Sequence, residues 1–128
     1  MANYSRNFEI TLTESKISYG EGGIPTYKES DKKSKLNFII RKDNRPFDLT
    51  DLKATLFVKD KDENIYEIDE TNFTAGGADG KITVSLTDEV LAVPSKYEAQ
   101  LELKDATDGS VYTFEVFNLI VEDKWSVL

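Results

Sequence analysis

Apolar and polar residues alternate along most of this chain, and that period of two restricts its fold more than any other feature. Alternation over roughly four to eight residues is typical of a half-buried β-strand, whose successive side chains point to opposite faces. The clearest cases are residues 8–12, 36–40, 54–58, 82–86 and 97–103, with polar or glycine-containing turns between them. The pattern predicts an all-β, immunoglobulin-like antiparallel β-sandwich of about seven to eight strands.

The length of 128 residues fits a single domain. We expect residues 1–34 to hold the first strand and a long loop or arm, in which residues 20–35 cross to the next strand. Residues 35–123 would form the body of the sandwich, and residues 124–128 a C-terminal tail.

Two further patterns refine the prediction. Asp79-Gly80 and Asp108-Gly109 are dipeptides that favour turns with positive φ. In the last strand the apolar residues change parity at Val116 and Phe117. A β-bulge would explain that change, and so would a strand buried on both faces.

The composition removes several classes of function. The chain has no histidine and no cysteine, so it lacks the commonest general base, a thiolate nucleophile and the usual transition-metal ligands. Its net charge of −8 opposes binding to nucleic acid or to an anionic membrane. We expect no enzyme activity, no cofactor and no signal peptide, since the N-terminus lacks an apolar segment. An enzyme that uses two carboxylates in one cleft is the remaining catalytic alternative.

One segment has a partial metal-binding motif. Asp60, Asp62 and Asn64 have the spacing of the first three ligands of an EF-hand loop. The sixth position should then be glycine and the twelfth glutamate, but Ile65 and Thr71 stand there. A solvated hairpin tip is the better interpretation, and calcium binding is the weaker alternative.

Three aromatic residues lie outside the regular alternation, namely Tyr19, Tyr27 and the single tryptophan, Trp125. Such residues can anchor a partner protein or form a stacking platform for a sugar. They can also pack onto the chain's own body. Packing onto the chain's own body is the commoner outcome for such residues, and the functional prediction for Tyr19, Tyr27 and Trp125 is a protein interface, ahead of sugar binding.

The segment "RPFDLT" joins two predicted strands. Pro46 fixes φ at the turn, and Phe47 and Leu49 can both reach the core if the chain bends there. Asp48 or Thr50 can satisfy nearby backbone groups in an Asx- or ST-type turn. Residues 46–49, hereafter the hook, are therefore interpreted as a structural corner.

Two long stretches together resemble a known family. They are "KLNFIIRKDNRPFDLTDLKATLFVKDKDENIYEID" and "DGKITVSLTDEVLAVPSKYEAQLELKDATDGSVYTFEVFNLIVED". The order of their elements is similar to that of the N-terminal domain of phage baseplate upper proteins. These elements are the polar turn, the hook, the "GKIT" and "LTDEVLA" segments and the "YEAQLEL" strand. The resemblance covers roughly residues 34–123, and residues 8–12 fit the expected first strand.

The resemblance implies a structural part of a phage tail baseplate that binds other phage structural proteins and helps to hold the host-recognition apparatus. Several copies in a symmetric ring, and so a homo-oligomer, would suit such a part. The protein would be made in the host cytoplasm and end in the virion. The edge strands, the 20–35 loop and the C-terminal "EDKWSVL" are the expected contact surfaces. The alternative is a carbohydrate-binding or adhesin-like sandwich that contacts the host surface directly.

Overall fold

The computed structural model describes residues 7–13, 15–20, 22–28, 34–74, 76–87, 90 and 92–122. These residues form eleven β-strands and one 3₁₀ turn, Glu70–Asn72. The strands are β1 (Asn7–Leu12), β2 (Ile17–Tyr19), β3 (Thr26–Lys28), β4 (Lys35–Lys42), β5 (Arg45–Pro46), β6 (Leu52–Lys59), β7 (Ile65–Ile68), β8 (Lys81–Ser85), β9 (Ser95–Asp105), β10 (Val111–Thr113) and β11 (Phe117–Glu122). They lie in two facing sheets, which confirms the predicted all-β sandwich.

The first sheet is built around β4. On one edge of β4 lies β1, parallel to it with Phe8 opposite Leu36, and β2 lies antiparallel outside β1. On the other edge, β8 pairs with the first part of β4 and β5 with its last two residues. Phe73 then forms an isolated bridge to Val84, so the free edge of β8 is partly covered.

The second sheet is built around β9, the longest strand. Its order is β3-β11-β9-β6-β7, and β10 shares with β11 the edge of β9 that faces away from β6. The chain passes from the first sheet to the second after β2 and returns before β4. The predicted arm therefore contributes one strand, β3, to the second sheet of its own chain.

Two strand pairs differ from the antiparallel prediction. β1 is parallel to β4, and β3 is parallel to β11. Parallel neighbours need a crossover connection, which the excursion through β2 and β3 supplies for β1 and β4. The strand count exceeds seven to eight because short strands occur in the arm and at the hook and because the last strand is divided. The immunoglobulin-like detail remains a prediction.

The last strand contains the predicted bulge. Thr113 pairs with Glu102 and Phe117 pairs with Ala99, so four steps along one strand match three along the other. The Phe114 N–H still donates to the Leu101 carbonyl at 3.1 Å, and the two residues after it lie opposite one residue of β9. The extra residue shifts the inward face from Phe114 to Phe117, which accounts for the parity change in the sequence.

Aromatic pairs connect the two sheets through the core. Phe38 of β4 meets Phe117 of β11 edge to face, with ring centroids 5.8 Å apart. Phe8 of β1 meets Tyr27 of β3 in the same way at 5.2 Å. Both geometries are favourable for aromatic quadrupoles and add about 0.5–1.5 kcal/mol each to the burial of the rings. These pairs therefore help to hold the two sheets together, and the arm contributes to this through Tyr27 of β3.

Candidate interaction surfaces

The Asp60 carboxylate organises the hairpin between β6 and β7. Its Oδ1 accepts hydrogen bonds from the backbone N–H groups of Asp62 and Asn64, both at 2.9 Å. Its Oδ2 accepts from Asn64 Nδ2 at 3.1 Å and from the Tyr66 hydroxyl at 3.2 Å. Desolvation raises the pKa of Asp60, but these hydrogen bonds outweigh it and hold the pKa below its ordinary value. The arrangement is that of an Asx turn at a hairpin tip.

No candidate metal cluster and no membrane-spanning helix is found in the part of the chain that the structure describes. Among its residues no group of three or more histidine, cysteine, aspartate and glutamate side chains could hold a metal ion. None of the helices found there is long and apolar enough to cross a membrane.

The two aromatic candidates that the structure describes, Tyr27 and Tyr19, have different environments. Tyr27 is fully buried, and its hydroxyl donates to the Lys35 carbonyl at 2.8 Å. Burial also raises its pKa. Tyr27 therefore presents no surface to a partner, which corrects its assignment as an interface residue. Trp125 lies outside the described residues.

Tyr19 is half-buried and closes the edge of the second sheet. Its hydroxyl accepts a hydrogen bond from the Asn118 backbone N–H at 3.0 Å. The pairing of β11 with β3 begins only at Ile120, so Tyr19 satisfies a donor that β3 does not reach. Sequence reasoning missed this function of Tyr19 and Tyr27 because three-residue strands are too short to show a period.

The hook is held against a glycine-containing loop. The Phe47 N–H donates to the Ile40 carbonyl and the Leu49 N–H to the Gly77 carbonyl, each at 2.9 Å. Leu49 is buried, and the Phe47 ring contacts Tyr112 of the opposite sheet at 5.2 Å. We interpret these contacts as those of a structural corner, in which exposed Pro46 begins the bend.

An open groove of about 480 Å³ lies beside the hook. It is lined by six residues in and just before the hook, namely Lys42, Asp43, Arg45, Pro46, Phe47 and Asp48. Two cations and two carboxylates surround it, so the groove has no strong preference for either sign of charge.

The outer face of the second sheet carries an apolar groove of about 180 Å³. Its apolar lining comes from Phe57 of β6, Ile65 of β7, Ala99 of β9 and Val116 of the bulge. Its polar lining comes from Lys59, Glu98 and Gln100. Ile65 has 65% of its surface exposed, more than any other large apolar side chain in the described residues. The sequence carried a signal for this exposure, because strand alternation puts Ile65 on the same face as Glu67 and not on the face of buried Ile68.

The comparisons with known proteins point to one family. A model of the BppU N-terminal domain matches residues 2–127. Among solved structures, the N-terminal domain of phage TP901-1 ORF48 is similar, with a TM-score of 0.69 and 16% sequence identity. The match covers 93% of this chain and 99% of that one. At this identity the likeness shows a shared fold. The search of curated proteins found no match.

Proposed function

The chain belongs to the family of the BppU N-terminal domain, the N-terminal domain of baseplate upper proteins, and from that premise we propose that it is a non-enzymatic assembly module of a phage tail baseplate. In this function it binds other virion proteins and helps to hold the host-recognition apparatus. The observation that carries the proposal is the family match across nearly the whole chain.

The physical character of the domain supports this function. The two sheets are joined by cross-sheet aromatic pairs and by the arm, and such connections suit a part that must hold its neighbours at fixed positions. The sequence has neither histidine nor cysteine, so little of it is suited to catalysis. We further propose that residues 1–128 act as one unit, that residues around Trp125 contribute to an interface, and that several copies associate in the assembled tail.

No observation on the described residues, which exclude Trp125, favours the sugar-binding alternative. A carbohydrate platform needs exposed, coplanar aromatic rings. Of the three aromatic residues considered for it, Tyr27 is buried and Tyr19 bonds to the opposite sheet.

Disruption of the reading frame in the phage that encodes it tests the proposal. Particles made without the protein should have tails that lack an assembled baseplate, and a plasmid copy of the gene should restore it. Electron microscopy of purified particles gives the readout. Normal baseplates on particles that lack this protein would overturn the proposal.

A further inference from the structure

The outer edge of β7 is the open edge that the fold leaves least protected. No strand among the described residues pairs with it. By contrast, the free edge of β8 is partly covered by the Phe73–Val84 bridge. The remaining edge strands, β2, β3, β5 and β10, have two or three residues each, and Pro25 directly precedes β3. β7 is longer, has no proline and carries one charged residue, Glu67.

The hydrogen-bond phase shows which backbone groups this edge offers. The Leu101 carbonyl of β9 accepts from Phe114, away from β6, so the alternation of an antiparallel ladder directs Gln100 towards Phe57. Val58 then bonds across to Tyr66 of β7. It follows that the N–H and C=O groups of Ile65 and Glu67 point outward, away from β6.

The side chains beside those groups define what could bind. Ile65 and Glu67 both project from the outer face, while Ile68 points into the core. An added strand would place one side chain beside Ile65, at the end of the groove that Phe57 and Val116 also line. It would place another beside Glu67, two residues away. The first position favours an apolar residue and the second a cation.

Charge selects the same kind of partner. Between residues 60 and 70 there are six acids and one lysine. A second copy of this chain, with its net charge of −8, would bring like charges together at this edge. A basic segment would be attracted to it.

We propose that the β7 edge binds an extended segment of another virion protein by β-strand addition, and that this segment carries a lysine or arginine two residues from an apolar residue. Main-chain hydrogen bonds to Ile65 and Glu67 would supply affinity, and the two side-chain positions would supply specificity. The inference rests on the assembly function proposed above.

The probe that tests it is a short acetylated peptide. Threonine occupies every second position, and the positions between are filled alternately by lysine and valine. A second peptide, with glutamate in place of each lysine, is the control. Titration of the lysine peptide into ¹⁵N-labelled protein should shift the amide resonances of residues 65–67. The glutamate peptide should bind at least about tenfold more weakly.

Two variants make the result specific. Glu67→Pro removes an N–H that points away from β6, so the fold should persist while binding falls at least about tenfold. Glu67→Lys alters only an exposed side chain, and should reverse the preference so that the glutamate peptide binds more tightly.

Absence of shifts at residues 65–67 would overturn the inference, as would an unchanged peptide preference in Glu67→Lys. Self-association of the peptide-free protein through the same residues would overturn it too, because the edge would then belong to a second copy. None of these outcomes bears on whether particles need the protein for a baseplate, so the two proposals can fail separately.

Discussion

Gly80 occupies a position where both the backbone and the available space require glycine. Its φ is +73°, and an added Cβ would lie 2.5 Å from the Ile40 carbonyl oxygen and 3.1 Å from the Phe47 nitrogen. The Ile40 N–H donates to the Gly80 carbonyl at 2.7 Å. Gly80 is thus the point where the loop before β8 closes on the hook. The Asp-Gly dipeptide indicated the turn, but the close approach to Ile40 depends on tertiary packing and could not be predicted.

Gly80→Ala should destabilise the protein by about 2–4 kcal/mol, because a positive-φ penalty of about 1–2 kcal/mol is joined by a backbone clash. Urea denaturation measures the change. The matched control is Gly109→Ala, where φ is +79° and an added Cβ meets nothing within 4 Å. This control should lose only the conformational part, about 1–2 kcal/mol. Equal losses at the two positions would contradict the proposed clash.

Four aspartates hold turns through their carboxylates and have lowered pKa values, namely Asp48, Asp60, Asp69 and Asp108. In each case hydrogen bonds from neighbouring residues favour the charged form. A group whose pKa is lower in the folded state stabilises the fold above its unfolded pKa. That contribution is lost as the pH falls through the folded value. Stability should therefore decrease as the pH drops below the ordinary aspartate value of 3.8.

Asp60→Asn tests this at one turn. The variant should be less stable than the parent at about pH 7, because its amide group cannot replace the Oδ2 acceptor. The difference should shrink as the pH falls through the lowered pKa of Asp60 and its carboxylate becomes protonated. Thermal unfolding across that range gives the measurement, and Asp62→Asn on the same hairpin tip is the control. A difference that does not depend on pH would contradict the assignment.

At the scale of elements, the long strands could be predicted from the sequence and the short ones could not. Alternation identified the strands that became β1, β4, β6, β8 and β9, and the parity change at Val116 and Phe117 located the bulge. β2 and β3 were missed because they have three residues each and are held by contacts distant in sequence. One of these is the hydrogen bond from the Asn118 N–H to the Tyr19 hydroxyl. The parallel pairing of β1 with β4 was not predicted for the same reason, because it depends on the crossover through β2 and β3.

The bulge has its own side-chain support, which gives a prediction for this element. Gln100 Nε2 donates to the Phe114 carbonyl at 2.9 Å. Gln100→Ala should leave that part-buried carbonyl without this donor and cost about 1–2 kcal/mol. Glu98→Ala, an exposed position on the same face of β9, should change stability by less than about 0.5 kcal/mol. Chemical denaturation compares the two, and similar effects would show that Gln100 does not support the bulge.

At the scale of the whole molecule, the sequence indicated the family and the sandwich, while the surfaces that could bind partners emerged only from the fold. Tyr27 illustrates the difference, because a residue outside any visible pattern became part of the core. Ile65 is the converse, since it lies in a predicted hairpin yet remains exposed. The burial of Tyr27 and the exposure of Ile65 depend on how the arm and β7 lie against the sheets, which one local pattern does not encode.

The most direct test of the assembly function is a cryo-electron microscopy reconstruction of the tail tip of the intact phage, at a resolution that shows side chains. We predict density for this sandwich within the baseplate, in contact with other virion proteins. A complete reconstruction in which all baseplate density belongs to other chains, or in which this domain lies elsewhere in the particle, would contradict it.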